Sequence, residues 1–142
     1  MVKNMFQGKT IILNNQLNEL KKLFALTEEL HKELELPQDV VFNMNLALEE
    51  ALTNIILYAY PGSEGTIELE VKKTNENSLS FTLRDKGIAF NPLEAPEADV
   101  TSPASEREIG GLGIFLMRQL MDFVEYERKG DKNILRMTKK IK

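Results

Sequence analysis

The chain has 142 residues, 42% of them hydrophobic and 28% charged, with no cysteine and one histidine. This length and composition are typical of one globular domain. The sequence has no run of about 18 apolar residues, which a membrane helix would require. The cysteine and histidine counts exclude disulfides, thiol chemistry and multi-histidine metal sites. A net charge of −4 argues against nucleic acid as the main partner. We therefore expect a cytoplasmic domain whose chemistry uses carboxylates, amides, hydroxyls and the backbone.

The predicted elements alternate between strand and helix patterns along the chain. A β-branched run at 9–13 predicts an edge strand, and apolar spacings of three and four predict helices at 17–34 and from Pro37 to about Tyr58. Further strands are predicted at 66–73, 79–84, 123–128 and 133–137, with a helix at 114–121. This order indicates a single α+β domain over residues 1–142, a two-layer sandwich with a mixed, mostly antiparallel sheet and helices on one face.

The segment 91–109 differs from the rest of the chain. It contains Pro92, Pro96 and Pro103 among acidic and small residues, and it has no apolar period. A stretch of this length without regular structure is typical of either a functional lid or a disordered segment.

Glu50 and Asn54 stand four residues apart in the second predicted helix and therefore share one helix face. A carboxylate and a carboxamide together suit a hard cation such as Mg²⁺, which takes few protein oxygens and completes its shell with phosphates and water. The alternative is a solvated helix face that carries Glu and Asn by chance. Asn is a poor residue for a helix interior, which favours a functional role.

Two glycine-containing segments could contact a ligand. Asp85 and Gly87 follow a predicted strand, where the carboxylate could accept a hydrogen bond from an amino group such as that of adenine; the alternative is an ordinary turn. Gly110, Gly111 and Gly113 precede a predicted helix, whose N-terminal N–H groups could hold a phosphate; the alternative is a flexible hinge. No Gly-Lys-Ser/Thr follows, so this is not a P-loop.

In their order and spacing these segments resemble the GHKL ATPases, which include histidine kinases, the gyrase ATPase domain, the MutL mismatch-repair ATPase and Hsp90. Within that family the chain is most similar to the bacterial anti-sigma-factor serine/threonine kinases. The matching stretches are EEALTNIILYAY at 49–60, DKGIAFNP at 85–92, GGLGIFLMRQLMD at 110–122 and MTK at 137–139. The resemblance implies a Bergerat-type ATPase fold that binds ATP and Mg²⁺, with an ATP lid at about 91–109.

The resemblance also implies residue roles at the nucleotide. Asn54 would coordinate Mg²⁺, and Glu50 would be the general base for the attacking hydroxyl. Asp85 would bind the adenine amino group, with Gly87 giving the ring room, and Thr138 would add a polar contact near the adenine.

Further roles concern the phosphates. Gly110, Gly111 and Gly113 would contact them, and Arg107 is a candidate for the γ-phosphate. Tyr58 departs from the family pattern, which often has histidine at that position, so a contact with phosphate would be weakened or altered there.

The function implied is that of an anti-sigma factor with serine/threonine kinase activity. The implied partners are a STAS-type anti-anti-sigma protein as phosphate acceptor, a sigma factor or similar client, and a second copy of the chain in a homodimer. Direct nucleic-acid and membrane contacts are not expected. The alternative is a nucleotide-gated binding module without significant kinase activity.

Overall fold

The computed structural model describes residues 6–94 and 111–141. The strands are β1 (Lys9–Asn14), β2 (Thr66–Asn75), β3 (Ser78–Asp85), β4 (Phe123–Lys129) and β5 (Lys132–Lys140). The helices are α1 (Leu20–Leu34), α2 (Gln38–Tyr58) and α3 (Gly111–Leu120), with 3-10 turns at Leu17–Glu19 and Pro92–Glu94. Most of the predicted lid at about 91–109 lies outside the described residues.

The five strands form one sheet in the order β1-β2-β3-β5-β4. The predicted α+β sandwich and the edge position of β1 are confirmed, but the sheet is not mixed, because all four strand pairings are antiparallel. The physical reason is the β4–β5 hairpin. β4 runs in the same direction as β3, and β5 inserts between them and pairs with both.

The core lies between one face of the sheet and the helices. Alternate residues of the central strands are fully buried, as are side chains of α1 and α2, and they form one cluster: Ile67, Leu69, Val71, Leu79, Phe81 and Leu83 with Leu23, Leu30, Met44, Leu48 and Leu52. Alternation follows from the period of two along a strand. On the opposite face Arg84 forms ion pairs with Glu68 and Glu70, with N–O distances of 2.8 and 3.0 Å. The helices therefore cover a single face, as predicted.

Helix α2 runs through the middle of this layer. It has 21 residues and a mean hydropathy of 1.3 over its most apolar window, so by length and composition alone it could cross a membrane. No other helix in the described ranges meets this criterion. Its buried apolar side chains, however, belong to the core cluster with the sheet. Its hydropathy is that of a core helix, and the polar residues Glu50 and Asn54 lie in its second half.

Candidate functional site

Asn54 is the most unusual polar residue of α2. Its side chain is buried, with 8% of its surface exposed, and its Nδ2 atom has no hydrogen-bond partner among the described residues. An amide left unpaired in a protein interior costs about 1–3 kcal/mol. A helix that needed only to pack against the sheet would be more stable with an apolar residue here, so the burial of this amide is consistent with the predicted role of Asn54 toward a ligand.

Glu50 lies one helical turn before Asn54 and is half-buried. Burial, and then the charge of the adjacent Glu49, raises the pKa of the Glu50 carboxyl above its ordinary value. A carboxylate with a raised pKa is a stronger base at neutral pH. Glu49 lies on another side of the helix, which it shares with Asn45, four residues earlier. That side faces α1, because the Thr27 hydroxyl of α1 donates to Asn45 Oδ1 at 3.3 Å.

The donor set suits Mg²⁺ in a ternary complex with phosphate. Among the residues that the structure describes, no group of three His, Asp or Glu side chains could hold a metal by itself. Mg²⁺ is commonly bound through one or two protein oxygens together with substrate phosphates and water. Rotation of the Asn54 amide exchanges its oxygen and nitrogen, and the unpaired atom at this position fits an amide oxygen offered to a cation.

Asp85 ends β3 and is buried, with 5% of its surface exposed. Its Oδ1 accepts two hydrogen bonds, from Gly87 N and from Asn133 Nδ2, both at 2.9 Å. No residue within 6–94 or 111–141 donates to Oδ2. One carboxylate oxygen is therefore held by the protein and the other stays available to an amino group.

Gly87 lies against the C-terminal end of α2. A Cβ atom added to Gly87 would come within 2.3 Å of the Ala59 carbonyl oxygen and 2.5 Å of the Ala59 Cβ. Ile88 N donates to the same carbonyl oxygen at 2.9 Å. Gly87 does not have a positive φ, unlike Gly62 and Gly130 among the described glycines. Glycine is required by this close backbone approach.

This contact brings two of the predicted motifs together. Asn54 lies five residues before Ala59, or about 7.5 Å along the axis of α2. The hydrogen bond from Ile88 N to Ala59 O thus joins the turn after Asp85 to the helix that carries Glu50 and Asn54.

Tyr60 reinforces the same junction just beyond α2. Its hydroxyl donates to Thr66 O at 2.6 Å and accepts from Lys86 N at 2.8 Å. Burial raises the pKa of the Tyr60 hydroxyl, and the charge of Asp85 raises it further. Tyr60 therefore ties the beginning of β2 and the residue after Asp85 to the end of the helix.

Helix α3 begins earlier than the sequence predicts. It starts at Gly111, not at Ile114, so Gly111 and Gly113 belong to its first turn. First-turn N–H groups have no intrahelical acceptor, so this turn can bind an anion, and α3 packs against α2. Gly110 and Arg107, the other predicted phosphate contacts, lie outside the described residues.

Thr138 does not join this group of residues. It pairs with Ser80, five positions along the strands from the pair of Asp85 and Asn133, which is a distance of about 17 Å. It also alternates with the buried residues of β5 and so points to the opposite face of the sheet. The resemblance selected the wrong residue of β5, because sequence alone does not give the register of β5 against β3.

Asn133 is a residue of the candidate site that was not predicted from the sequence. It is buried, with 6% exposed, and it pairs with Asp85 across the β3–β5 ladder. One signal was available: an asparagine that shares the core-facing side of β5 with Leu135 and Met137. Its partner could not be identified from the sequence, since the two residues are 48 positions apart.

Comparison with known proteins identifies the family of the chain. The family model described as the histidine kinase-like ATPase domain matches residues 13–139. The chain therefore belongs to the histidine kinase-like ATPase domain family, and the predicted resemblance is confirmed.

Named relatives within that class are anti-sigma proteins and serine kinases. The serine/threonine-protein kinase BtrW of Bordetella bronchiseptica is 32% identical over 98 residues, 68% of each chain. The serine-protein kinase RsbW of Bacillus cereus is 33% identical over 107 residues, 72% of this chain and 66% of that one. The anti-sigma F factor of Clostridium perfringens is 29% identical over 98 residues, 69% of this chain and 70% of that one. The match thus spans about two thirds of the length of these relatives.

Solved structures share the fold. The RsbU and RsbW domains of Rv1364c from Mycobacterium tuberculosis match with a TM-score of 0.66 at 14% identity, covering 94% of this chain and 32% of that one. The histidine kinase domain of the blue-light activated histidine kinase of Erythrobacter litoralis matches with a TM-score of 0.58 at 17% identity, covering 88% and 60%. At these identities the likeness establishes the fold alone.

Proposed function

We propose that this protein is a Mg-ATP-dependent serine/threonine kinase that acts as an anti-sigma regulatory factor. The observation that carries the proposal is the buried Asn54 amide with no partner for Nδ2 in the described part of the chain, one turn from the half-buried Glu50. Family membership supports ATP use, and the names of the relatives support the kinase and anti-sigma roles.

Each residue has one task in the proposed reaction. Asp85 accepts a hydrogen bond from the amino group of adenine, and the backbone N–H groups in the first turn of α3, around Gly111 and Gly113, donate hydrogen bonds to the phosphates. Asn54 holds Mg²⁺, which when bound neutralises phosphate charge.

Glu50 acts on the protein substrate. It accepts the proton of a serine or threonine hydroxyl as the hydroxyl oxygen bonds to the γ-phosphorus, and ADP leaves with the electrons of the broken P–O bond. The raised pKa of Glu50 supports this role, because it brings the carboxylate closer to the operating pH.

The proposed partners are proteins of a regulatory switch in the cytoplasm. The phosphate acceptor is a STAS-type anti-anti-sigma protein, and the client is a sigma factor or an equivalent regulator. ATP and ADP would bias which partner is held, because nucleotide and partner binding are linked equilibria. The relatives named RsbW and anti-sigma F factor support this assignment.

The experiment that tests the kinase assignment compares E50Q with wild type. Radiolabelled ATP is incubated with the protein and the cognate STAS protein, and labelled STAS protein is measured. We expect E50Q to transfer phosphate at least about a hundredfold more slowly, the usual contribution of a general base. Its affinity for Mg-ATP should stay within about twofold, because glutamine preserves the size and polarity of the side chain.

E49Q is the matched control, since Glu49 is adjacent but lies on the side of α2 that faces α1. It should transfer phosphate within about threefold of wild type. Intact transfer by E50Q would contradict the base assignment.

A second candidate function is a nucleotide-gated binding module without useful kinase activity. Tyr58 favours it, because this partly exposed residue lies one turn after Asn54, where the family often has histidine. In that case N54A would lose partner binding, while wild type would yield no phosphorylated STAS protein. The assay above therefore separates the two functions.

A further inference from the structure

Asn133 uses its whole amide in hydrogen bonds around the turn that follows Asp85. Nδ2 donates to Asp85 Oδ1 at 2.9 Å and to Ile88 O at 2.7 Å. Oδ1 accepts from Phe90 N at 3.3 Å and from the Tyr126 hydroxyl. A buried asparagine with all of these bonds formed is rigid, because any rotation leaves polar atoms unpaired.

The orientation of this amide follows from its neighbours. Both atoms that face Nδ2, a carboxylate oxygen and the Ile88 carbonyl oxygen, can only accept hydrogen bonds, whereas Phe90 N can only donate. A flipped amide would place acceptor against acceptor and donor against donor. Nδ2 must therefore face Asp85.

Asn133 thereby fixes the direction of the Asp85 carboxylate. Oδ1 receives one donor from the neighbouring strand, Asn133 Nδ2, and one from its own turn, Gly87 N. Two donors on the same oxygen hold the plane of the carboxylate. Oδ2 is then the oxygen left to meet a ligand, and an ionised carboxylate oxygen only accepts.

The same amide also holds the chain that follows. Ile88 O and Phe90 N both bind Asn133, and Ile88 N is bound by Ala59 O at the end of α2. The backbone at 88–90 is therefore fixed between β5 and α2, through the same amide that binds Asp85.

We propose that Asn133 is a positioning residue that sets the purine specificity of the site by holding Asp85 with one oxygen turned outward as an acceptor. This inference rests on the proposed function, because it requires that Asp85 receives the base of ATP. A 6-amino purine offers a hydrogen to that oxygen. A 6-oxo purine such as hypoxanthine brings an oxygen against it, and a site built for a donor rejects such an analogue strongly.

The test is the ratio of the dissociation constants of Mg-ITP and Mg-ATP, measured by calorimetry. We expect wild type to prefer ATP by about a hundredfold. In N133A the preference should fall about tenfold, which corresponds to the loss of one hydrogen bond to a charged group. D85N, which replaces the carboxylate itself, should show no preference for ATP.

N133T is the second variant, to be used also if N133A does not fold. Threonine suits a strand, and its single hydroxyl proton cannot serve both Asp85 Oδ1 and Ile88 O, so the ratio should fall at least about threefold. L30A is the matched control, because it removes a core side chain of α1, far along the chain from the site, and lowers stability. It should leave the ratio unchanged.

The outcomes are separable. A ratio within twofold of wild type in a folded N133A or N133T, with both affinities lowered equally, overturns the inference, because that is the effect of a structural role alone. Wild type that binds neither nucleotide overturns the proposed function, and this inference with it. Wild type that binds both nucleotides equally overturns the assignment of Asp85 and the inference.

Discussion

At the scale of single residues, the candidate site is built from groups that lower the stability of the fold. Asn54 buries an amide nitrogen without a partner in the described ranges, and burial raises the pKa of Glu50. Both side chains stand on a helix whose neighbouring positions, Ala51 and Leu52, are buried and apolar. Residues that oppose stability in this way are typical of positions retained for function.

The raised pKa of Glu50 gives a pH-dependent stability. The folded protein binds the Glu50 proton more tightly than the unfolded chain, so this carboxyl lowers stability progressively as the pH rises through its folded pKa. E50Q cannot ionise. We therefore expect E50Q to melt at a higher temperature than wild type at pH 7.5, with the difference shrinking as the pH falls through the raised pKa of folded Glu50 toward the ordinary pKa of a glutamate.

Thermal melts of the two proteins at several pH values check this prediction. E76Q is the control, since Glu76 lies exposed in the turn between β2 and β3 and its change removes one negative charge from the surface. A lower melting temperature for E50Q than for wild type at pH 7.5 would show that Glu50 stabilises the fold, contrary to the account.

Some of these residues were accessible from the sequence and some were not. The spacing of Glu50 and Asn54 follows from helical periodicity, so their shared face could be predicted. Asp85 could be predicted from local sequence, because a glycine-containing turn follows it directly after a strand. Asn133 and Thr138 depended on the register between β3 and β5, which is set by packing across the sheet and not by local sequence.

At the scale of elements, the contact between the end of α2 and the turn after β3 assembles the site. There is no room for a side chain at Gly87, because its Cβ would overlap Ala59. The glycine therefore sets the distance between the helix with Glu50 and Asn54 and the strand with Asp85.

G87A should accordingly destabilise the protein by about 1–3 kcal/mol, the usual cost of forcing a methyl group into a packed position. Urea unfolding measures this change as a lower midpoint at an unchanged slope. K86A, at the exposed neighbouring position, should unfold within about 0.5 kcal/mol of wild type. Equal stability of G87A and wild type would mean that the close approach to Ala59 does not exist.

The limits of α2 and of the strands were predictable, while the start of α3 was not. Pro37 precedes α2, and the Tyr-Pro-Gly sequence at 60–62 follows it, so both ends have local signals. Glycines normally argue against a helix, yet Gly111 and Gly113 occupy the first turn of α3. Tertiary packing of α3 on α2 outweighs the low helix propensity of glycine there.

At the scale of the whole molecule, one sheet face and three helices place the site at a single junction. The end of α2, the end of β3 and the beginning of β5 meet around Asp85 and Asn133. The first strand, β1, lies at one edge of the sheet, two strands from β3, and Ile12 on it is 49% exposed. The expected homodimer stays a prediction.

The central claim is that this junction binds Mg-ATP, and calorimetric titration of wild type with Mg-ATP tests it most directly. We predict saturable binding that is lost in N54A and in the presence of EDTA, since Asn54 is the proposed Mg²⁺ ligand. Thermal melts should show the same result, with stabilisation of about 2.7 kcal/mol when free Mg-ATP exceeds the dissociation constant a hundredfold. Absence of both binding heat and thermal stabilisation in folded wild type would contradict the account.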